Sequence, residues 1–177
     1  YDYVVDASFT GVAGTTVTTA GGSTAKMYAT IAGAMAHAQT NSGGNASFLI
    51  NKGTYQEQVS RRPAALGSHW RVVGEGTASV TWQATANDQT LWSIGTGEEL
   101  LSSRIEITGI RFDNQSFTGC RSLRHGLEAY VFVEDCEFRT GGSTTSFGID
   151  VSALNLNVTD CLYRGSGVFV GPGTGSF

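Results

Sequence analysis

The sequence predicts an all-β fold, a parallel β-helix of about five coils with one α-helix capping its N-terminal end. Three observations carry this reading. First, three segments fall into register at periods of 26 and then 25 residues: IEITGIRFDN from Ile105, VFVEDCEFRT from Val131 and LNVTDCLYRG from Leu156. Second, the chain has 24 Gly and 2 Pro, many Thr, Ser and Val, and Lys only at Lys26 and Lys52, a composition suited to strands and turns rather than helices. Third, one stretch alone has helical periodicity, with Met27, Ile31, Ala34, Met35 and Ala38 on one stripe.

The 177 residues fit one domain, 1–177. Residues 1–24 hold an opening strand, YVVDA, followed by a Gly/Thr-rich hairpin or loop. Residues 25–40 are the capping helix, with Ser23 or Thr24 as its N-cap and NSGGN ending it. Residues 45–165 form the coils, and 166–177 are a tail containing GVFV.

Within the aligned units Ile107, Val133 and Val158 correspond, as do Ile110, Cys136 and Cys161, and then Phe112, Phe138 and Tyr163. Gly109, Asp135 and Asp160 fall between two short strands and read as corners that switch which residues point inward. Stacked units would bond to the rung above and below, lining like residues into ladders about 4.8 Å apart. SFLINKGTY and HWRVVGEGTASVTW supply two earlier rungs. An antiparallel sandwich would call for two-residue Asn-Gly turns, and the sequence has none.

Charged residues are only 15% of the chain and the net charge is −4, with no basic run beyond Arg61-Arg62, which argues against a nucleic-acid partner. No apolar stretch is long enough to span a bilayer. Tyr1 opens the sequence without the basic and apolar segments of a secretory leader, as in a mature secreted product or a cut fragment. Cys120, Cys136 and Cys161 lack the spacing of a zinc site, and no cofactor is expected. Cys136 and Cys161 occupy one position of successive rungs, as an internal thiol ladder or an inter-rung disulfide.

The order YVVDAS, YATIAGAMAHA, FLINKGTYQEQV, RVVGEG resembles the N-terminal third of pectinesterases, within the pectin-lyase-like superfamily of right-handed β-helices. Gly53, Tyr55 and Glu57 match that family's G-x-Y-x-E segment, and Val72 to Gly76 resembles the rung after it. The resemblance covers about the first 80 residues and implies a right-handed coil. Activity in that family needs two aspartates, oxyanion-hole glutamines and an arginine, in segments resembling Q-A-V, Q-D-T-L, D-F-I-F-G and G-R-P-W. None is present here. RHGLEAY stands where Q-A-V is expected, and NDQTLW at Asn87–Trp92 has two letters exchanged, which puts its carboxylate, Asp88, on the opposite face of a strand.

Glu57 therefore reads as part of a scaffold rung. Asp135 and Asp160 read as corner residues, and Asp113 with Arg139 and Arg164 as an outward ion-pair set. Glu134 and Glu137 straddle a corner, and Glu98-Glu99 reads as solvated charge; neither makes a glycosidase pair. Trp70, Trp82 and Trp92, with Tyr55 and Glu57, are the glycan-binding candidates, set against a core role for the tryptophans. Sequons stand at Asn45, Asn114 and Asn157.

The functional expectation is a noncatalytic extracellular, cell-surface or virion-surface β-helix serving assembly or glycan attachment. Self-association would use strand addition or end-to-end stacking, up to a fibre, through Tyr3, Val4 and Val5 or through Val168, Phe169 and Val170. The alternative is a carbohydrate-active enzyme, a divergent esterase or a tailspike-like depolymerase fragment, with Glu57, Asp88 or Glu134 in a saccharide groove.

Overall fold

The computed structural model describes residues 1–19, 21–41, 44–94, 103–125, 129–142, 145–151 and 155–172. It opens with strands β1 (Tyr3–Val5), β2 (Thr15–Thr18) and β3 (Thr24–Tyr28), followed by helix α1 (Ile31–Asn41). Strands then follow in threes: β4 (Ala46–Ile50), β5 (Gly53–Tyr55), β6 (Val59–Ser60); β7 (His69–Gly74), β8 (Val80–Gln83), β9 (Thr90–Ser93). Next are β10 (Arg104–Thr108), β11 (Arg111–Asn114), β12 (Arg121–His125); β13 (Tyr130–Glu134), β14 (Glu137–Thr140), β15 (Phe147–Val151). The last three are β16 (Leu156–Thr159), β17 (Leu162–Gly165) and β18 (Val168–Pro172).

The first strand of each triplet joins an eight-stranded sheet ordered β16-β13-β10-β7-β4-β1-β3-β2. The second strands form the sheet β17-β14-β11-β8-β5, and the third strands form β18-β15-β12-β9-β6. All pairings from β4 onward are parallel, each strand bonding the equivalent strand one triplet away. The fold is thus dominated by parallel sheets stacked in chain order, with one short helix among the described residues, an arrangement compatible with a β-helix.

Alternation along the strands builds the core. On the first sheet Phe48, Val72, Ile107, Val133 and Val158 are successive register partners. On the second, Tyr55, Trp82, Phe112, Phe138 and Tyr163 form an aromatic ladder. Its rings lie 5.7 Å apart between Trp82 and Phe112 and 5.1 Å apart between Phe112 and Phe138.

The corners fall where the repeat puts them. Gly109, Asp135 and Asp160 have φ of 71°, 47° and 50°. Asp tolerates this left-handed conformation better than most side chains. Gly109 is further constrained, because a Cβ there would meet the Gly74 carbonyl oxygen at 2.6 Å. Backbone bonds run through the corners from rung to rung, Gly109 N–H to Asp135 O at 3.1 Å and Asp135 N–H to Thr159 O at 3.3 Å.

Three expectations are corrected. Residues 24–28 are strand β3, not the start of the helix, because β3 covers the free edge of β1 in register Tyr3↔Lys26 and Val5↔Tyr28. Pairing energy overrides the helical pattern there. The helix starts seven or six residues later than a Ser23 or Thr24 cap implies, and Thr30 takes that role, its hydroxyl accepting the Gly33 N–H at 3.1 Å. The tail from residue 166 contains β18, which pairs with β15 in the third sheet.

Candidate functional site

Glu57 sits just beyond β5 and reaches the N-terminus of α1. Its two carboxylate oxygens accept the Ile31 and Ala32 N–H groups at 2.7 and 2.8 Å. These amides have no intrahelical partner, and the helix dipole favours a negative charge beside them. Burial pushes the Glu57 carboxyl up, against the two backbone bonds that hold it down. The neighbouring Tyr55 is buried, its hydroxyl within donating distance of Asn51 O at 2.9 Å and Val5 O at 3.2 Å, and burial raises its phenol to about 12. The G-x-Y-x-E segment fastens the helix and β1 onto the stack.

The three tryptophans are not surface platforms. Trp70, Trp82 and Trp92 each have 0% exposure. Their indole N–H groups donate to Gly44 O (3.1 Å), Glu57 O (2.8 Å) and Arg61 O (2.9 Å). A side chain enclosed in this way offers no face to a sugar ring, so stacking on glycan is corrected to core packing, with Tyr55 and Glu57 in structural roles beside it. Of the sequons, Asn114 is fully buried with its amide donating to Ser122 Oγ, whereas Asn45 and Asn157 are exposed.

Strand addition at Tyr3, Val4 and Val5 is also corrected. β1 lies between β3 and β4, so both of its edges are bonded. Val168, Phe169 and Val170 differ: β18 pairs with β15 on one side and ends its sheet. β16 and β17 end theirs in the same way. Together these three strands form the last described rung. Its ladder residues are incompletely covered: Val133 is 1% exposed while its partner Val158 is only partly buried, and Ile149 is 0% exposed while its partner Val170 is 44% exposed. Leu162 is 46% exposed at the start of β17.

A second feature was not legible as a site in the sequence. On the outer face of the first sheet a cleft of about 190 Å³ is lined by Arg71, Arg104, Glu106, Phe132, Glu134 and Asn157. The Glu106 carboxylate faces Arg104 Nε at 2.6 Å, His69 Nε2 at 3.3 Å and Arg71 Nε at 3.9 Å. The Arg104 guanidinium lies 4.2 Å from the centre of the Phe132 ring. Of the anticipated groove residues Glu57, Asp88 and Glu134, only Glu134 lies here; Glu57 is at the helix and Asp88 is in a loop after β8 with φ of 60°, while Glu98 and Glu99, read as solvated charge, fall outside the described residues. The signal was the outward column Arg71, Glu106, Phe132, Asn157, visible only once the register is known.

The second sheet carries a denser ion-pair set. Glu137, nearly buried, accepts from Arg111 Nε at 2.7 Å, Arg139 Nε at 2.9 Å and Arg164 Nε at 3.0 Å. Burial pushes its carboxyl up, but the hydrogen bonds from Arg111 and Arg139 outweigh this and hold it below the usual range. Arg139 also approaches Asp113 at 3.8 Å. Among the described residues, no group of three or more His, Cys, Asp or Glu side chains is arranged to hold a metal ion. Nor is any described helix long and apolar enough to cross a membrane.

Comparison of the chain with protein-family models, with curated proteins and with solved structures gave no match.

Proposed function

We propose that the chain is a right-handed parallel β-helix of about five coils, noncatalytic, that serves structural assembly at a cell or virion surface through its last described rung. The carrying observation is the loss of burial along the ladders, from Val133 and Ile149 to Val158 and Val170. Edge strands with uncovered apolar residues are templates for further strands. The low charge and the Thr-, Ser-, Asn- and Gly-rich composition support an extracellular setting. Light scattering over a concentration series, with electron microscopy of the same samples, tests the assembly reading. A mass that rises to a defined oligomer supports it, and a monomer at every concentration overturns it.

The outer-face cleft favours a second reading, saccharide attachment or cleavage. Ion-paired arginines, an exposed carboxylate and an aromatic ring on neighbouring strands suit the hydroxyls and ring faces of a sugar. A polysaccharide screen reading both binding and released oligosaccharide tests it. Loss of binding in Arg104→Ala with the fold retained would put the ligand in this cleft.

A further inference from the structure

The strongest unassigned feature is a pair of cysteines at the junction between the last rung and the rung before it. Cys136 follows the Asp135 corner and Cys161 follows the Asp160 corner, and both corners have the same left-handed backbone. The register on either side is unbroken, Val133↔Val158 before and Phe138↔Tyr163 after, and the Leu162 N–H donates to Cys136 O at 2.9 Å. Parallel rungs about 4.8 Å apart fall within the Cα separation of about 4.4–6.8 Å that a disulfide spans. The two thiols repeat one environment a rung apart: Cys136 Sγ is directed at Ile107 O at 3.8 Å and Cys161 Sγ at Val133 O at 3.6 Å, carbonyls of register partners, with Cys136 fully buried and Cys161 partly so.

We propose that Cys136 and Cys161 are a thiol–disulfide site that closes into an inter-rung bond by exchange with a small-molecule disulfide and thereby locks the last rung onto the stack. The Cys161 sulfur attacks the disulfide and forms a mixed disulfide, releasing one small thiol. The Cys136 sulfur then attacks Cys161, expelling the second. Two protein thiols are oxidised, one small disulfide is reduced to two thiols, and the two cysteine protons leave with them. The neighbouring Cys161 sulfur and burial push the Cys136 thiol up, and the Cys136 thiol beside it holds Cys161 down, so the more accessible sulfur also carries the larger thiolate fraction. Cys120 stands apart, its sulfur directed at Ala86 O at 3.2 Å.

The site rests on the rung geometry and is independent of the assembly reading. The test incubates the folded full chain with glutathione disulfide, then counts thiols, maps linked peptides and follows amide hydrogen exchange. The expected result is a fall from three titratable thiols to one, a Cys136–Cys161 linked peptide, and exchange of β16 and β17 amides slowed by about tenfold and restored by reductant. Cys120→Ser should behave like the parent chain, and Cys161→Ser should show no change in exchange. Three persisting thiols, a bond involving Cys120, or a stable glutathione adduct at Cys161 would each overturn the proposal. Circular dichroism on Cys161→Ser separates loss of the thiol from loss of the fold.

Discussion

At one end of the stacked strands, Ile31, Ala34, Met35 and Ala38 of α1 are buried against the core. At the other, Leu156, Val158, Tyr163 and Phe169 are only partly buried. The same ladders run through both ends, so the difference lies in what covers them. At the first end an acidic side chain from a neighbouring rung holds a helix in place. At the last rung the described residues leave the outer strand edges without partners in their sheets. Identical positions of the repeat should therefore contribute unequally to stability, according to rung.

The largest effect should come from the aromatic ladder. Phe138→Ala removes a fully enclosed ring stacked on Phe112 and should cost about 3–5 kcal/mol in denaturant unfolding. Tyr163→Ala, its register partner on the last rung, should cost about half as much, and equal costs would break the contrast between the rungs. Next is Glu57→Ala, which strips both acceptors from the α1 N-terminus and should cost about 2 kcal/mol, with hydrogen exchange accelerating first in α1.

A smaller effect is tied to pH. Glu137 has its folded pKa held below its ordinary value of 4.5, so its contribution is complete above that value and lost as pH falls through the depressed folded pKa. Melting temperatures from about pH 6 to about pH 2 should fall more steeply for the parent chain than for Glu137→Gln. The smallest stability change, within about 0.5 kcal/mol, is expected for Leu162→Lys and Val170→Lys. Light scattering on the same variants should nevertheless show loss of self-association, since charge on an edge strand opposes pairing.

The repeat was legible because its chemistry is repeated: Ile107, Val133 and Val158, and Phe112, Phe138 and Tyr163, are paired as aligned. The corners were legible because left-handed backbone selects Gly and Asp. The third strand of each rung was not. Thr90–Ser93, Arg121–His125 and Phe147–Val151 each begin after six connecting residues, but apart from the apolar register partners Trp92, Leu123 and Ile149 they share no side-chain pattern. Residues 24–28 misled for another reason: buried Ala25 and Tyr28 are three apart, a spacing that suits a helix as well as this strand. The role of Glu57 was half visible. That it belonged to the scaffold followed from the missing esterase segments, but its target is 26 residues away in sequence and needed the fold. The outer-face cleft combines residues from four strands, and no local window contains it.

The helix held by Glu57 has a consequence for symmetry. A head-to-tail fibre needs two different ends that fit each other, and here one end is already occupied by the molecule's own helix. Two copies meeting through their last described rungs would be related by a twofold axis perpendicular to the stack, with strands antiparallel across the junction. Such a contact uses the same surface on both partners and leaves none over, so growth by this route closes at a dimer.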